Sequence, residues 1–348
     1  MRAPRSKLRR RLLALTISLF ASLVAVEVVF RVVFGAPLSE RLPVVRVQAN
    51  PHRGWEMVPG EEHFTYHHRV RVNAYGLRGA EVRAKAPGEV RVLTLGDSLV
   101  YGQGVADDET VPWYLERALE LRDPLGREWT VINGGHRAYD THQELGLLEE
   151  LGPELEPDIV VIFFFWNDFK ERDIAATYSK LSASGPIAFD VGAKMEGWTE
   201  LKWRAIQVLR RSAAVMTLYD TVGKRSSPFP WEQVRRNGVK RLGRYLDSFL
   251  ALSRELDSEL VFVVVPDANA LSRPHPSTAI ADAAAELAAA KGLPVVRFDE
   301  PLQALQLELG GAPVIPYDGH YLPAANRAMA SMLADALLAP LGPDVEDE

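Results

Sequence analysis

From Glu89 onward the chain alternates short apolar runs rich in β-branched residues with longer stretches of helical spacing. Val90–Leu95, Thr130–Asn133, Ile159–Phe165, Leu260–Val265 and Pro294–Phe298 read as strands. Val111–Arg122, Thr141–Leu151, Val234–Leu256, Ser277–Lys291 and a final stretch from Pro323 to Leu338 read as helices. Ser277 is placed to cap the fourth of these and Gly292 to stop it. The unbroken run Ile159–Phe165 suits a central strand buried on both faces. Alternation of this kind predicts an α/β domain, a five-stranded parallel sheet covered by helices on both sides, with strand order 2-1-3-4-5.

Two regions fall outside this rhythm. Residues 35–85 read as a stem, with an alternating stretch at His63–Val72 and a turn-rich one at Asn73–Gly79. The globular domain then runs over 86–340 and contains an insertion at about 169–235, too long for a simple connection. Tyr178, Trp198, Trp203, Tyr219 and Trp231 lie in that insertion, either as a substrate-binding lid or as the core of a packed subdomain. Residues 341–348 form an acidic tail.

The N-terminus changes the picture most. Arg2, Arg5, Lys7, Arg9, Arg10 and Arg11 precede an apolar run from Leu12 to Phe30. About 20 apolar residues span a bilayer core, and a basic flank stays on the cytoplasmic side. Residues 1–34 are therefore expected to be a cytoplasmic basic segment plus a single-pass anchor in the cell inner membrane, with everything beyond residue 34 periplasmic or extracellular. Glu27 lies near the outer end, one turn before Arg31, where the two can pair. A cleaved signal peptide fits less well, because cleavage after Ala36 would put Phe34 at the −3 position.

Composition adds exclusions. The 348 residues contain no cysteine, so disulfides, thiolate metal sites and cysteine nucleophiles are ruled out. The net charge of −6 includes the six basic N-terminal residues, so the exported body is more acidic still and a poor nucleic-acid binder. Gly102-Gln103-Gly104 is not followed by the lysine of a phosphate loop. His67 and His68 are adjacent and would face opposite ways on a strand, while His136 and His142 lack a ligand motif. Neither a metal nor another cofactor is expected.

Four short blocks carry candidate chemistry. Gly96-Asp97-Ser98-Leu99 follows the first strand, where ligands bind in open parallel sheets. Asn133-Gly134-Gly135-His136-Arg137-Ala138-Tyr139 follows the second, with small residues that let backbone amides approach a ligand. Trp166-Asn167-Asp168 ends the third and offers a side-chain amide donor. Asp318-Gly319-His320 precedes the last helix and offers a base with a carboxylate beside it. Each block alone also makes an ordinary turn, strand end or helix-capping loop.

Taken in this order the blocks resemble the SGNH hydrolases, also called GDSL esterases, over roughly Glu89–Leu338. The resemblance implies a three-layer flavodoxin-like fold and a serine esterase acting through an acyl-enzyme. It further implies Ser98 as nucleophile, His320 as base, and an oxyanion hole from the backbone N–H groups of Ser98 and Ala138 with the Asn167 amide. This sequence departs from the family pattern at three points. Ala138 stands where the family has glycine, and Phe165 replaces the glycine of the asparagine block. The usual acid position falls on Tyr317, which leaves Asp318, one residue closer, as the candidate acid. Basic terminus, anchor, stem and hydrolase domain together look like bacterial envelope members, so the expected substrates are small-molecule or glycan acyl esters, including O-acyl groups of envelope polysaccharides. An O-acyltransferase using the same nucleophile, or an inactive binding module on the same scaffold, are the alternatives.

Overall fold

The structure, a computed structural model, describes residues 5–170, 172–189, 191–223 and 229–339. Arg2 of the basic cluster and the acidic tail 341–348 lie outside the described residues. The chain forms two compact units, one made of 40–196, 229–314 and 319 onward, the other of the N-terminus to residue 39, 197–228 and 315–318.

In the larger unit, strands β1 (Arg46–Asn50) and β2 (Gly54–Met57) form one antiparallel pair, and β3 (Glu62–Thr65) and β4 (His68–Arg71) another. His67 falls in the turn between β3 and β4, and His68 opens β4. The central sheet follows: β5 (Val90–Gly96), β6 (Trp129–Gly135), β7 (Ile159–Phe164), then β9 (Glu259–Val264) and β10 (Val295–Arg297). Between them the short strand β8 (Ile187–Ala188) pairs with β1. The five central strands are parallel in spatial order β10-β9-β7-β5-β6, the expected 2-1-3-4-5.

The period of two along each strand divides the core between the two faces of the sheet. Leu93, Leu95, Phe164 and Phe262 pack with Leu246, Phe249 and Ile280 on one side. Val92, Val161, Phe163 and Val263 pack with Leu115, Leu119, Met329 and Leu333 on the other. β7 is buried at every position, as its apolar run predicts. Helices Val111–Arg122 and Pro323–Leu338 fall where the spacing puts them. Helix Pro276–Ala290 is capped by His275 rather than Ser277, because the His275 ring nitrogen accepts the Ser277 N–H at 3.3 Å.

Residues 40–85 are part of this unit. Val45, Val47, Trp55, Met57, Val70, Val72 and Leu77 join the same apolar cluster as Leu93 and Leu95. Arg53 and Arg78 are buried with them and are neutralised there by Glu56, Glu150 and Asp107.

The smaller unit is built on the helix Arg5–Phe34, whose apolar part is the described helix long and apolar enough to cross a membrane, with none of that stretch buried. Helices Gly197–Leu209 and Ala213–Gly223 belong with it, the second packing along Arg5–Phe34. Glu27 pairs with Arg31 at 2.7 Å and also accepts the Ser212 hydroxyl at 2.7 Å and the Ala213 N–H at 2.9 Å. The segment 169–235 is thus shared between the units. Trp198 and Tyr219 stand 85% and 71% exposed in the smaller one, whereas Trp231 packs on Trp166 and Phe229 in the larger.

Candidate active site

The site grows from the carboxyl ends of β5, β6 and β7. β5 ends at Gly96, and Asp97 caps a single helical turn, Ser98–Tyr101, by accepting the Leu99 N–H at 2.8 Å. This places Ser98 at the first position of the turn, half-buried at the sheet edge. The turn is wedged against β6: a Cβ on Gly135 would lie 2.2 Å from the Tyr101 nitrogen, so only glycine permits the approach.

His320 comes from the loop before the last helix. Its Nε2 lies 2.7 Å from Ser98 Oγ. An imidazole nitrogen in that position can accept the hydroxyl proton as a general base. Tyr321, the next residue, is buried and donates its hydroxyl to the Pro266 carbonyl at 2.6 Å, which pins the loop to the end of β9. Asp318 is half-buried in the smaller unit, with its N–H bonded to the Ile315 carbonyl at 3.2 Å. Tyr317 bonds through its hydroxyl to Thr217 at 3.0 Å, in a structural contact of the smaller unit.

Asn167 lies in a short 3₁₀ turn after β7. Its Nδ2 donates to Asp97 Oδ2 at 2.9 Å, so one amide hydrogen fixes the side chain and the other stays available to a ligand. Phe165, which opens this turn, has φ −122°, an ordinary extended value that requires no glycine. Ala138 has φ +63°, the left-handed region. The family's glycine is conformationally suited to this position, and alanine adopts the same backbone at a cost of about 1–2 kcal/mol.

Three features carry no sequence signature. The Arg78 guanidinium, from the segment read as a stem, donates to the Tyr101, Gly102 and Val105 carbonyls at 2.8, 2.6 and 2.8 Å. It therefore ties off the carbonyl end of the Ser98 turn. His136 is fully buried, its ring stacked on Tyr139 at 4.4 Å. Burial and the nearby Arg53 charge lower its pKa to about 3, so it supports the Ala138 loop as a neutral ring. Beneath the turn lie Asp97, Glu144 and Asp168, all buried. Burial drives all three pKa values upward, and their mutual repulsion drives Glu144 and Asp168 further. Glu144 is 0% exposed. A carboxyl so placed favours its neutral form, which weakens the repulsion on Asp97.

A doubly covered parallel sheet thus carries, at its carboxyl edge, a serine hydroxyl within hydrogen-bonding distance of an imidazole, an arrangement able to support nucleophilic ester cleavage. The model of the GDSL-like lipase/acylhydrolase family matches residues 94–328. The chain belongs to that family and is an ester hydrolase. No curated protein sequence matches it. Among solved structures it is similar to that of TesA, at 16% identity and TM-score 0.42 over 72% of this chain and 99% of that one. The acetyl xylan esterase AlAXEase is similar at 11% identity and TM-score 0.41, over 71% of this chain and all of the other. The lipase/acylhydrolase from Enterococcus faecalis follows at 15% identity and TM-score 0.40, over 72% and 96%.

Proposed function

We propose that this protein is a membrane-anchored serine esterase in which Ser98 is the nucleophile and His320 its base, acting on ester-linked acyl groups of cell-envelope polysaccharides. The observation that carries the reading is the 2.7 Å contact between Ser98 Oγ and His320 Nε2 at the carboxyl edge of the sheet. Ser98 Oγ attacks the acyl carbonyl while Nε2 takes its proton. The oxyanion that forms is held by the N–H groups of Ser98 and Ala138 and by the free amide hydrogen of Asn167. Collapse expels the alcohol, which takes the proton from His320, and leaves an acyl-serine. Water, deprotonated by the same nitrogen, completes hydrolysis. A sugar hydroxyl in place of water would give transfer instead, by the same steps. Asp318 is assigned as the acid that orients His320.

The anchor is assigned to Arg5–Phe34, with the basic residues inside and the hydrolase unit outside. The uncovered apolar helix and the one-sided basic flank support that topology.

A fluorophosphonate probe tests the nucleophile. The full chain in detergent should be labelled, and Ser98→Ala and His320→Ala should lose the label while keeping their thermal transitions. Equal labelling of wild type and Ser98→Ala refutes the assignment. A folded wild type that takes no label and hydrolyses no short acyl ester favours the binding-module reading. Mass analysis of acyl groups on envelope glycans, with and without the protein, tests the substrate.

A further inference from the structure

Helices Gly197–Leu209 and Ala213–Gly223 carry apolar side chains that no other described part of the smaller unit covers. On the second, Val215, Leu218, Tyr219 and Val222 are exposed. Their spacing of three, four and seven puts them on one face. On the first, Trp198, Leu201, Ile206, Val208 and Leu209 are exposed and fall on one side at about 100° per residue. A face of this size open to water is unusual in a protein that functions in solution.

Its position identifies the occupant. Ala213–Gly223 packs along the helix Arg5–Phe34 and is held there by Glu27, which accepts the Ser212 hydroxyl and the Ala213 N–H. Arg31 closes the arrangement by pairing with Glu27 and donating to the Arg211 carbonyl. About 20 residues at about 1.5 Å each fill the hydrocarbon core. Counted from Leu12, the core ends near Arg31, so Glu27 lies about 6 Å inside the outer boundary. The helix Ala213–Gly223, whose first turn bonds to Glu27, therefore starts at the depth where interfacial helices bury their apolar faces, about 5–10 Å below the headgroups. Trp198 and Tyr219 are side-chain types that settle at this level. The segment also carries Lys202, Arg204, Arg210 and Arg211 against Glu200 and Asp220, a balance suited to anionic headgroups.

We infer that 197–223 is a second membrane element, two consecutive helices that lie in the outer interface of the bilayer beside the anchor with their apolar faces in lipid. The inference rests on the assignment of Arg5–Phe34 as the membrane-spanning helix. Glu27 is then a docking group: it satisfies the start of the helix Ala213–Gly223 where water is scarce, and that helix start satisfies it.

The chain has no cysteine, so single cysteines can be introduced at exposed positions and labelled with an environment-sensitive fluorophore. Full-length Phe20→Cys, Trp198→Cys, Leu218→Cys and Leu307→Cys would be reconstituted in vesicles of phosphatidylcholine and phosphatidylglycerol. Nitroxides attached near the headgroup or deep in the acyl chain then report depth. The expected result is quenching at 20 by the deep nitroxide, and a blue shift with quenching at 198 and 218 by the shallow one. Position 307, an 84% exposed leucine of the larger unit, should stay open to aqueous iodide. Iodide access at 198 and 218 equal to that at 307, with 20 still quenched, overturns the interfacial placement of the two helices and leaves the anchor standing. Protection from iodide at 198 and 218 without nitroxide quenching overturns it in favour of a protein partner. Loss of quenching at 20 overturns the anchor, and the interfacial helices with it.

Discussion

Replacing Asn167 by alanine separates two things that the site geometry joins. One amide hydrogen bonds to Asp97 Oδ2 at 2.9 Å, and the other is assigned to the oxyanion. Losing the first leaves a buried carboxyl group with an unfilled acceptor. Such a group costs about 1–3 kcal/mol. The Leu99 N–H still bonds the other oxygen at 2.8 Å, and the raised pKa of Asp97 lets it take up a proton, so the lower end of that range is expected. Losing the second removes a donor used chiefly in the transition state, which lowers kcat by roughly 100- to 1000-fold with a smaller change in KM. The two effects are read independently, stability by urea unfolding and turnover by single-turnover hydrolysis of a short acyl ester of a chromogenic alcohol. Asn167→Asp serves as a control: it keeps the shape but supplies no amide donor, so it should share the kinetic loss. If Asn167→Ala is destabilised while kcat stays within about twofold, Asn167 only supports Asp97 and the proposed oxyanion hole is wrong.

Asp318→Ala should lower kcat by roughly 10⁴-fold if Asp318 orients His320, and full activity in this variant removes it from the mechanism. Arg78→Ala should destabilise the larger unit by about 3 kcal/mol, because it removes the nearer partner of Asp107, leaving Arg71 at 3.6 Å, and strips buried carbonyls behind the Ser98 turn. An unfolding midpoint equal to wild type would show that the guanidinium is dispensable. Glu144→Gln tests the buried carboxyls through pH. The folded pKa of Glu144 lies above its unfolded value, so above the unfolded pKa the folded state binds more protons and stability falls as pH rises. The glutamine cannot ionise, so its midpoint should gain on wild type on going from pH 5 to pH 8. A constant difference across that range would mean that Glu144 does not titrate as its burial requires.

Much of the fold is written in local pattern. The five central strands are legible as short apolar runs rich in β-branched residues, and their alternation with longer stretches of helical spacing points to the parallel order that is found. The positions of Ser98, Ala138 and Asn167 at strand ends are legible for the same reason. Local pattern does not tell which distant segments meet. His320 is 222 residues from Ser98, and only the sheet's closure brings the two side chains to hydrogen-bonding distance. Arg53 and Arg78 lie in the segment read as a stem, yet they are buried, because Glu150 and Asp107 from other parts of the chain, with Glu56 close by, neutralise them. Glu144 looks like any polar residue of an amphipathic helix until β5 and the turn after β7 close over it. Glu27 reads as a partner for Arg31 one turn on, and only the tertiary structure adds the helix start at Ala213 to its bonds. Periods and caps are properties of neighbours in sequence, so the chain alone determined the elements and the residue types at their ends. Burial, pKa and the pairing of charges depend on what packs against them, and tertiary structure alone decided those.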